Sequence, residues 1–122
     1  MFYDGNMKPL AHPNIDDITV EGILYAFSHP VRMQIFAELA AAECPLYCSS
    51  YQSLRGTTLP KSTLSQHFAV LREAGLIRSE RKGTELLSRT RCDELEERFG
   101  PMIDSILSAY LAQNTGTKKK KK

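Results

Sequence analysis

The 122-residue chain lacks tryptophan, has only three cysteines, and contains no long apolar run. Its longest purely apolar stretch, residues 23–27, is far shorter than the roughly 18 residues that a membrane-spanning helix needs. The N-terminus has no basic segment followed by an apolar run, so we expect no secretion signal and a cytoplasmic protein without a membrane partner. An odd cysteine count in such a protein argues against a structural disulfide framework.

The sequence features of an active site are also missing. The chain has no glycine-rich phosphate-binding loop, no serine or cysteine nucleophile with a plausible base and orienting acid, and no carboxylate pair placed over a pocket. Its 42% apolar and 25% charged residues are ordinary for a globular domain. We therefore expect a protein that is not an enzyme and that needs no cofactor.

Charge is distributed unevenly along the chain. Residues 55–91 hold eight lysines and arginines against three acidic residues, whereas residues 1–54 hold two against six. No acidic residue occurs between Arg55 and Arg72, although a merely solvated helix face normally mixes both signs. A basic block between acidic flanks is typical of a surface that neutralises nucleic-acid phosphates.

Composition divides the chain into three parts. Residues 1–15 contain two prolines and few periodic apolar positions, which predicts a mobile N-terminal arm. Residues 16–112 carry the apolar periodicity of one folded domain. Residues 113–122 end in five lysines, whose mutual repulsion predicts a disordered tail.

Hydrophobic periodicity predicts about five helices and one hairpin. A first helix begins near Asp16 and places Val20, Ile23, Leu24 and Phe27 on one face, and a second helix opens at Pro30 with Ile35, Phe36, Leu39 and Ala40 facing the core. A short third helix covers residues 49–55. A fourth helix ends at Gly75, a hairpin turns at Arg81-Lys82-Gly83, and a last helix covers residues 93–111, kinked or divided at Gly100-Pro101.

These elements predict a mainly α fold with a small β-hairpin, a winged helix-turn-helix with a two-stranded wing. In the fourth helix Leu64, Phe68, Val70 and Leu71 form the apolar stripe, and the opposite face is polar and basic. Such a helix fits the major groove, where Gln66 has the geometry to pair bidentately with adenine. The residues expected to contact double-stranded operator DNA are Lys61, Ser62, Thr63, Ser65, Gln66, His67, Arg72, Arg81 and Lys82.

Two motifs resemble the ArsR/SmtB family of bacterial winged-helix repressors. They are SHPVRMQIFAEL at residues 28–39 and STLSQHFAVLREAGLI at residues 62–77, followed by a basic turn and a glycine. The resemblance implies a homodimer that blocks transcription until an inducer releases it from operator DNA, and it implies packing and DNA-docking roles for His67. It also places the dimer contact on the first and last helices, at Val20, Ile23, Leu24, Phe99, Ile103, Ile106 and Tyr110.

The inducer is not identified by the sequence. The three histidines, His12, His29 and His67, all lie outside the last helix, where zinc-sensing members of the family bind metal, so we expect no metal site there. Cys44, Cys48 and Cys92 are candidates for a thiol sensor, although their spacing does not match the Cys-x-Cys of arsenic-sensing members. The alternative function is a winged-helix module for protein–protein contact without sequence-specific DNA binding.

Overall fold

The computed structural model describes residues 10–42, 46–47 and 59–116. The expected third helix at residues 49–55, most of the expected arm and the lysine run lie outside these ranges. The helices and strands in the described part are α1 Val20–Ala26, α2 Pro30–Ala41, β1 Leu46–Tyr47, α3 Lys61–Glu73, β2 Ile77–Lys82, β3 Glu85–Thr90 and α4 Cys92–Leu111. None of these helices combines the length and apolar character needed to cross a membrane.

The first helix begins later than the sequence predicts. Residues 15–17 form one turn of 3-10 helix, and α1 starts only at Val20. The reason is local, because the Thr19 side chain accepts a hydrogen bond from the Gly22 N–H at 3.0 Å and so caps the helix at that point. Asp16 and Asp17 therefore precede α1 instead of occupying its first turn.

The second helix begins where proline predicts it. Pro30 is the first residue of α2, and the His29 ring caps the helix by accepting a hydrogen bond through Nδ1 from the Val31 N–H at 3.1 Å. Arg32, which is 93% buried, donates from Nε to the Ala26 carbonyl at 2.8 Å and from Nη2 to the Tyr25 carbonyl at 3.1 Å. Its guanidinium thus satisfies the carbonyl end of α1 and joins α1 to α2.

The core of residues 10–91 is built from the apolar stripes of α1, α2 and α3 and from the start of β2. The fully buried large apolar side chains are Ile23, Ile35, Phe36, Leu64, Phe68, Leu71, Leu76 and Ile77. The rings of Phe27 and Phe36 pack edge to face with centroids 5.1 Å apart. Ala40 is exposed, so its expected place in the core is wrong, because it lies one residue beyond the buried Leu39 on the turning helix.

The hairpin forms the wing, which comprises β2, the turn at residues 83–84, and β3. The strands are antiparallel and in register from Ile77 opposite Thr90 to Lys82 opposite Glu85. Gly83 has φ +65°, a conformation that favours glycine in a two-residue hairpin turn. The turn thus begins later than predicted, and Arg81 and Lys82 are the last residues of β2.

A third strand, which the sequence did not predict, joins the sheet. β1 pairs antiparallel with β3, and the strand order is β1-β3-β2. At two residues it is too short to show alternation of apolar and polar side chains. Its presence leaves β2 at the edge of the described sheet.

The last helix belongs to a second unit of the chain, which begins at Cys92. α4 runs without interruption through Gly100 and Pro101, so the expected division there is wrong. Pro101 removes one backbone hydrogen bond from the helix, and the regular turns on both sides of Pro101 keep the helix continuous. Leu95, Phe99 and Ile103 are buried.

Candidate nucleic-acid interface

The N-terminal turn of α3 is open to solvent and has no side-chain cap. Pro60 occupies the cap position, and its side chain accepts no hydrogen bond. Lys61, Ser62 and Thr63 are all exposed. The first backbone N–H groups of a helix have no partner within the helix, and together with the positive end of the helix dipole they favour a phosphate group.

Packing of the opposite face fixes the orientation of α3. Leu64, Phe68 and Leu71 are each fully buried, and Val70 is partly buried. Because these side chains are directed into the core, Ser65 and Gln66 are exposed on the outer face. The predicted division of this helix into an apolar and a polar face is confirmed.

The end of α3 sets the direction in which the chain enters the wing. The Leu76 N–H donates to the Leu71 carbonyl at 3.1 Å, and the Gly75 N–H donates to the Arg72 carbonyl at 3.0 Å. This pair of bonds is the Schellman motif, which requires the left-handed conformation that Gly75 adopts at φ +90°. Gly75 ends the helix as predicted.

A cleft of about 300 Å³ lies between α3 and the wing, and we call it the helix–wing cleft. It brings together five of the predicted DNA contacts, Lys61, Ser65, Gln66, Arg72 and Arg81. The remaining lining consists of Leu10, Ala69, Thr84, Glu85 and Leu86. α3 and the wing thus present cations and hydrogen-bonding groups to one space.

The two faces of the wing carry different arginines. Arg81 pairs with Leu86 and lines the helix–wing cleft. Arg89 pairs with Arg78, and because side chains alternate along a strand, this pair lies on the other face. Lys82 is exposed at the end of β2 but does not line the cleft.

His67 differs from the other predicted contacts because it lies against α2. Its ring centroid is 4.5 Å from that of His29, with the planes tilted by 50°. The Nδ1 atom of His67 is buried and makes no hydrogen bond within the described part of the protein. Burial lowers the pKa of His67, and the nearby His29 and Arg32 lower it further. The structure therefore places His67 against the start of α2.

Sequence reasoning missed Leu10 and His12 as neighbours of this interface. Leu10 lines the helix–wing cleft, and the Ser79 N–H donates to His12 Nε2 at 3.0 Å. The two partners of this bond are separated by 67 residues, so no local periodicity signals it. The sequence analysis also missed the role of Arg32 in joining α1 to α2. The one signal for it was its position in the first turn of α2, two residues after Pro30.

The predicted dimer contacts fall into two groups. Val20 and Leu24 are 45% and 49% exposed, and Ile106 and Tyr110 are partly buried. Ile23, Phe99 and Ile103 are buried.

Of the three cysteines, only Cys92 is described, and its side chain is partly exposed. Cys44 and Cys48 lie outside the described residues, so the thiol-sensor hypothesis stays a prediction. Among the residues that the structure describes, no three His, Cys, Asp or Glu side chains are grouped as a metal site requires.

The fold, with the helix–wing cleft between α3 and the wing, is that of a winged helix-turn-helix protein. Residues 27–80, which contain α2, α3 and the start of the wing, match the helix-turn-helix domain family. The match and the fold together show that this part of the chain is a helix-turn-helix domain and that the domain has the winged form predicted from the sequence.

Solved structures similar to this chain include the following two. The transcriptional repressor BigR from Xylella fastidiosa is 24% identical, with a TM-score of 0.56 over 77% of this chain and 85% of that one, and it shares the fold. An ArsR-like transcriptional regulator from Rhodococcus sp. RHA1 is 25% identical, with a TM-score of 0.49 over 78% of this chain and 91% of that one. The comparison with curated proteins finds no match.

Proposed function

We propose that the protein is a homodimeric repressor that binds operator DNA through α3 and the wing. The observation that carries this proposal is the helix–wing cleft, where Lys61 and Arg72 of α3 meet Arg81 of the wing. An α-helix fits the major groove of B-DNA, and a wing beside it lies over the adjoining backbone. Neutralisation of phosphates by such cations supplies most of the affinity of a DNA-binding protein.

Each side chain has a distinct task in this arrangement. Gln66 is exposed on α3 and carries both a donor and an acceptor, which suits bidentate pairing with adenine N6 and N7. Lys61 and the uncapped first turn of α3 hold a phosphate at the helix N-terminus. Arg81 and Lys82 bind the backbone and therefore position the protein without selecting a sequence.

Dimerisation would join two such interfaces for a two-fold symmetric operator. The exposed apolar side chains of α1, Val20, Leu24 and Tyr25, form a patch that a second copy of the chain would cover. BigR is named as a repressor, which agrees with repression here. Release would follow from an inducer, or from oxidation of Cys44, Cys48 or Cys92, and the protein would act in the cytoplasm, where bacterial DNA is located.

The alternative, a protein-docking module, requires a different α3 surface. A docking helix exposes apolar side chains, whereas every large apolar side chain of α3 is partly or fully buried. The outer face carries Lys61, Ser62, Ser65 and Gln66 instead. This composition favours DNA as the partner.

The test is selection of bound duplexes from a randomised DNA library, followed by affinity measurements on the selected and scrambled sequences across a salt series. We expect Gln66→Ala to lower discrimination between the two by about 1–3 kcal/mol, because it removes one base contact. Arg81→Ala should weaken binding to both sequences equally and reduce the slope of log K against log salt by about 0.9.

Arg89→Ala is the matched control, since it removes the same charge from the opposite face of the wing. It should leave the salt slope unchanged. Equal effects of Arg81→Ala and Arg89→Ala would mean that net charge alone governs binding. Absence of any selected sequence would favour the protein-docking function.

A further inference from the structure

The last residues of the predicted arm are attached to the wing. His12 Nε2 accepts a hydrogen bond from the Ser79 N–H at 3.0 Å, and Arg91 Nη1 donates to the Pro13 carbonyl at 2.9 Å. Ser79 lies in β2, the edge strand of the described sheet. An edge strand presents backbone N–H groups that no neighbouring strand can pair, and the His12 ring satisfies one of them.

This attachment extends to the proposed DNA surface. Leu10, two residues before His12, lines the helix–wing cleft together with Lys61, Gln66 and Arg81. Its apolar side chain thus borders the same space as the cations that would contact phosphate. The segment of residues 10–13, which we call the strap, therefore links the edge of β2 to the cleft.

The hydrogen bond exists only while His12 is neutral. Nε2 accepts a hydrogen bond from the Ser79 N–H, whereas the Nε2–H of a protonated ring could not accept one and would face that N–H. Burial lowers the pKa of His12. Arg78, Arg72 and Arg91 lower it further, because they repel a positive charge on the His12 ring. Charged groups approach His12 from α3, both wing strands and the residue after β3: Arg72, Arg78, Glu80, Arg89 and Arg91.

We propose that the strap is a proton-operated latch on the DNA-binding surface, docked on β2 when His12 is neutral and released, with Leu10 leaving the cleft, when His12 is protonated. Docking and release of the strap concern the free protein and stand alone. The effect of the strap on DNA binding, which is the second half of the proposal, rests on the proposed function. Phosphates that approach Arg72 offset the repulsion on His12, so DNA binding and protonation reinforce each other. Such coupling is reciprocal, and DNA therefore releases the strap.

The free, full-length protein tests the latch directly through the Ser79 amide. Its NMR shift and its hydrogen exchange are followed from about pH 7.5 to about pH 4.5, a range that extends well below the ordinary histidine pKa. We expect a titration with its midpoint below 6.5 and, relative to the intrinsic exchange rate at each pH, weaker protection at the acid end. The proposal would be overturned if the Ser79 amide were unprotected at neutral pH, or if its shift and protection did not change with pH.

Two substitutions separate the latch from general pH effects. His12→Gln keeps an acceptor that does not titrate, so the Ser79 amide should stay protected at every pH. His12→Ala removes the acceptor, so the amide should exchange rapidly at every pH. His67→Gln is the matched control for a histidine elsewhere in the protein and should leave the Ser79 titration unchanged.

DNA affinity, measured at constant ionic strength, tests the second half. Wild-type affinity should rise by about 5-fold or more between neutral and acid pH, the lower end of typical coupling. His12→Ala and His12→Gln should both show a smaller rise, and His12→Ala should bind more tightly than His12→Gln at neutral pH. Equal pH responses in all three proteins would refute the coupling to DNA. Failure of all three to select a sequence would refute the proposed function, while the Ser79 amide would still decide whether the latch exists.

Discussion

Replacement of Gly75 by alanine offers the sharpest test of how α3 is joined to the wing. The residue adopts φ +90°, and a Cβ built on it would lie 2.5 Å from Ile18 Cγ1 and closer still to Ile18 Cδ1. Ile18 is only 4% exposed, so its side chain has little room to move away. Gly83 is the natural comparison, because it has φ +65° but nothing within 4 Å of a built Cβ.

The two glycines separate backbone strain from overpacking. A left-handed conformation costs a residue with a Cβ roughly 1–2 kcal/mol, and this cost applies at both positions. Overpacking against Ile18 adds about 1–3 kcal/mol at Gly75 alone. Loss of freedom in the unfolded chain offsets about 0.4–1 kcal/mol in both variants. We therefore expect Gly75→Ala to lose about 1–3 kcal/mol more stability than Gly83→Ala.

Urea unfolding of the two variants and the wild type measures this difference. The slope against urea should stay constant, because neither change alters the surface exposed on unfolding. Equal losses at the two positions would refute the reasoning, since only Gly75 meets a buried side chain. A large loss for Gly83→Ala would likewise show that backbone strain, not Ile18, dominates.

Two further predictions concern His67 and the exposed face of α1. Because the pKa of His67 is lowered, its neutral form stabilises the fold above pH 6.5, and this contribution disappears as pH falls towards the folded-state pKa. His67→Gln should flatten the acid loss of stability in urea titrations, and an unchanged pH slope would contradict this. Leu24→Glu should shift the sedimenting species from dimer to monomer, whereas Ala40→Glu, on an exposed position of α2, should not; a dimer that survives Leu24→Glu would exclude α1 from the contact.

Local chemistry made part of the fold predictable. Pro30 fixes φ at a helix start and Gly75 adopts a left-handed φ at a helix end, so each boundary follows from one residue type. The stripe of Leu64, Phe68 and Leu71 follows from helical spacing, and its burial decides which face of α3 is exposed. The polar candidates on α3 could therefore be named from the sequence before any tertiary contact was known.

The errors arise where one local signal competes with another. Asp16 and Asp17 suit the positive end of a helix, but the Thr19 side chain caps the Gly22 N–H and moves the start to Val20. Pro101 opposes helix continuation, yet the loss of one hydrogen bond is small beside the twenty-residue helix that surrounds it. Each local preference is worth only a few kcal/mol at most, so position within the longer element decides the outcome.

The contacts that were missed share a different cause, which is distance along the chain. His12 meets Ser79 across 67 residues, and Arg91 meets Pro13 across 78. Neither pair leaves a periodic pattern, because each is a single polar contact between segments that the core brings together. Both contacts hold the strap, whose Leu10 lines the helix–wing cleft. The polar surface of α3 is thus set by local sequence, whereas access to it depends on contacts that only the folded chain creates.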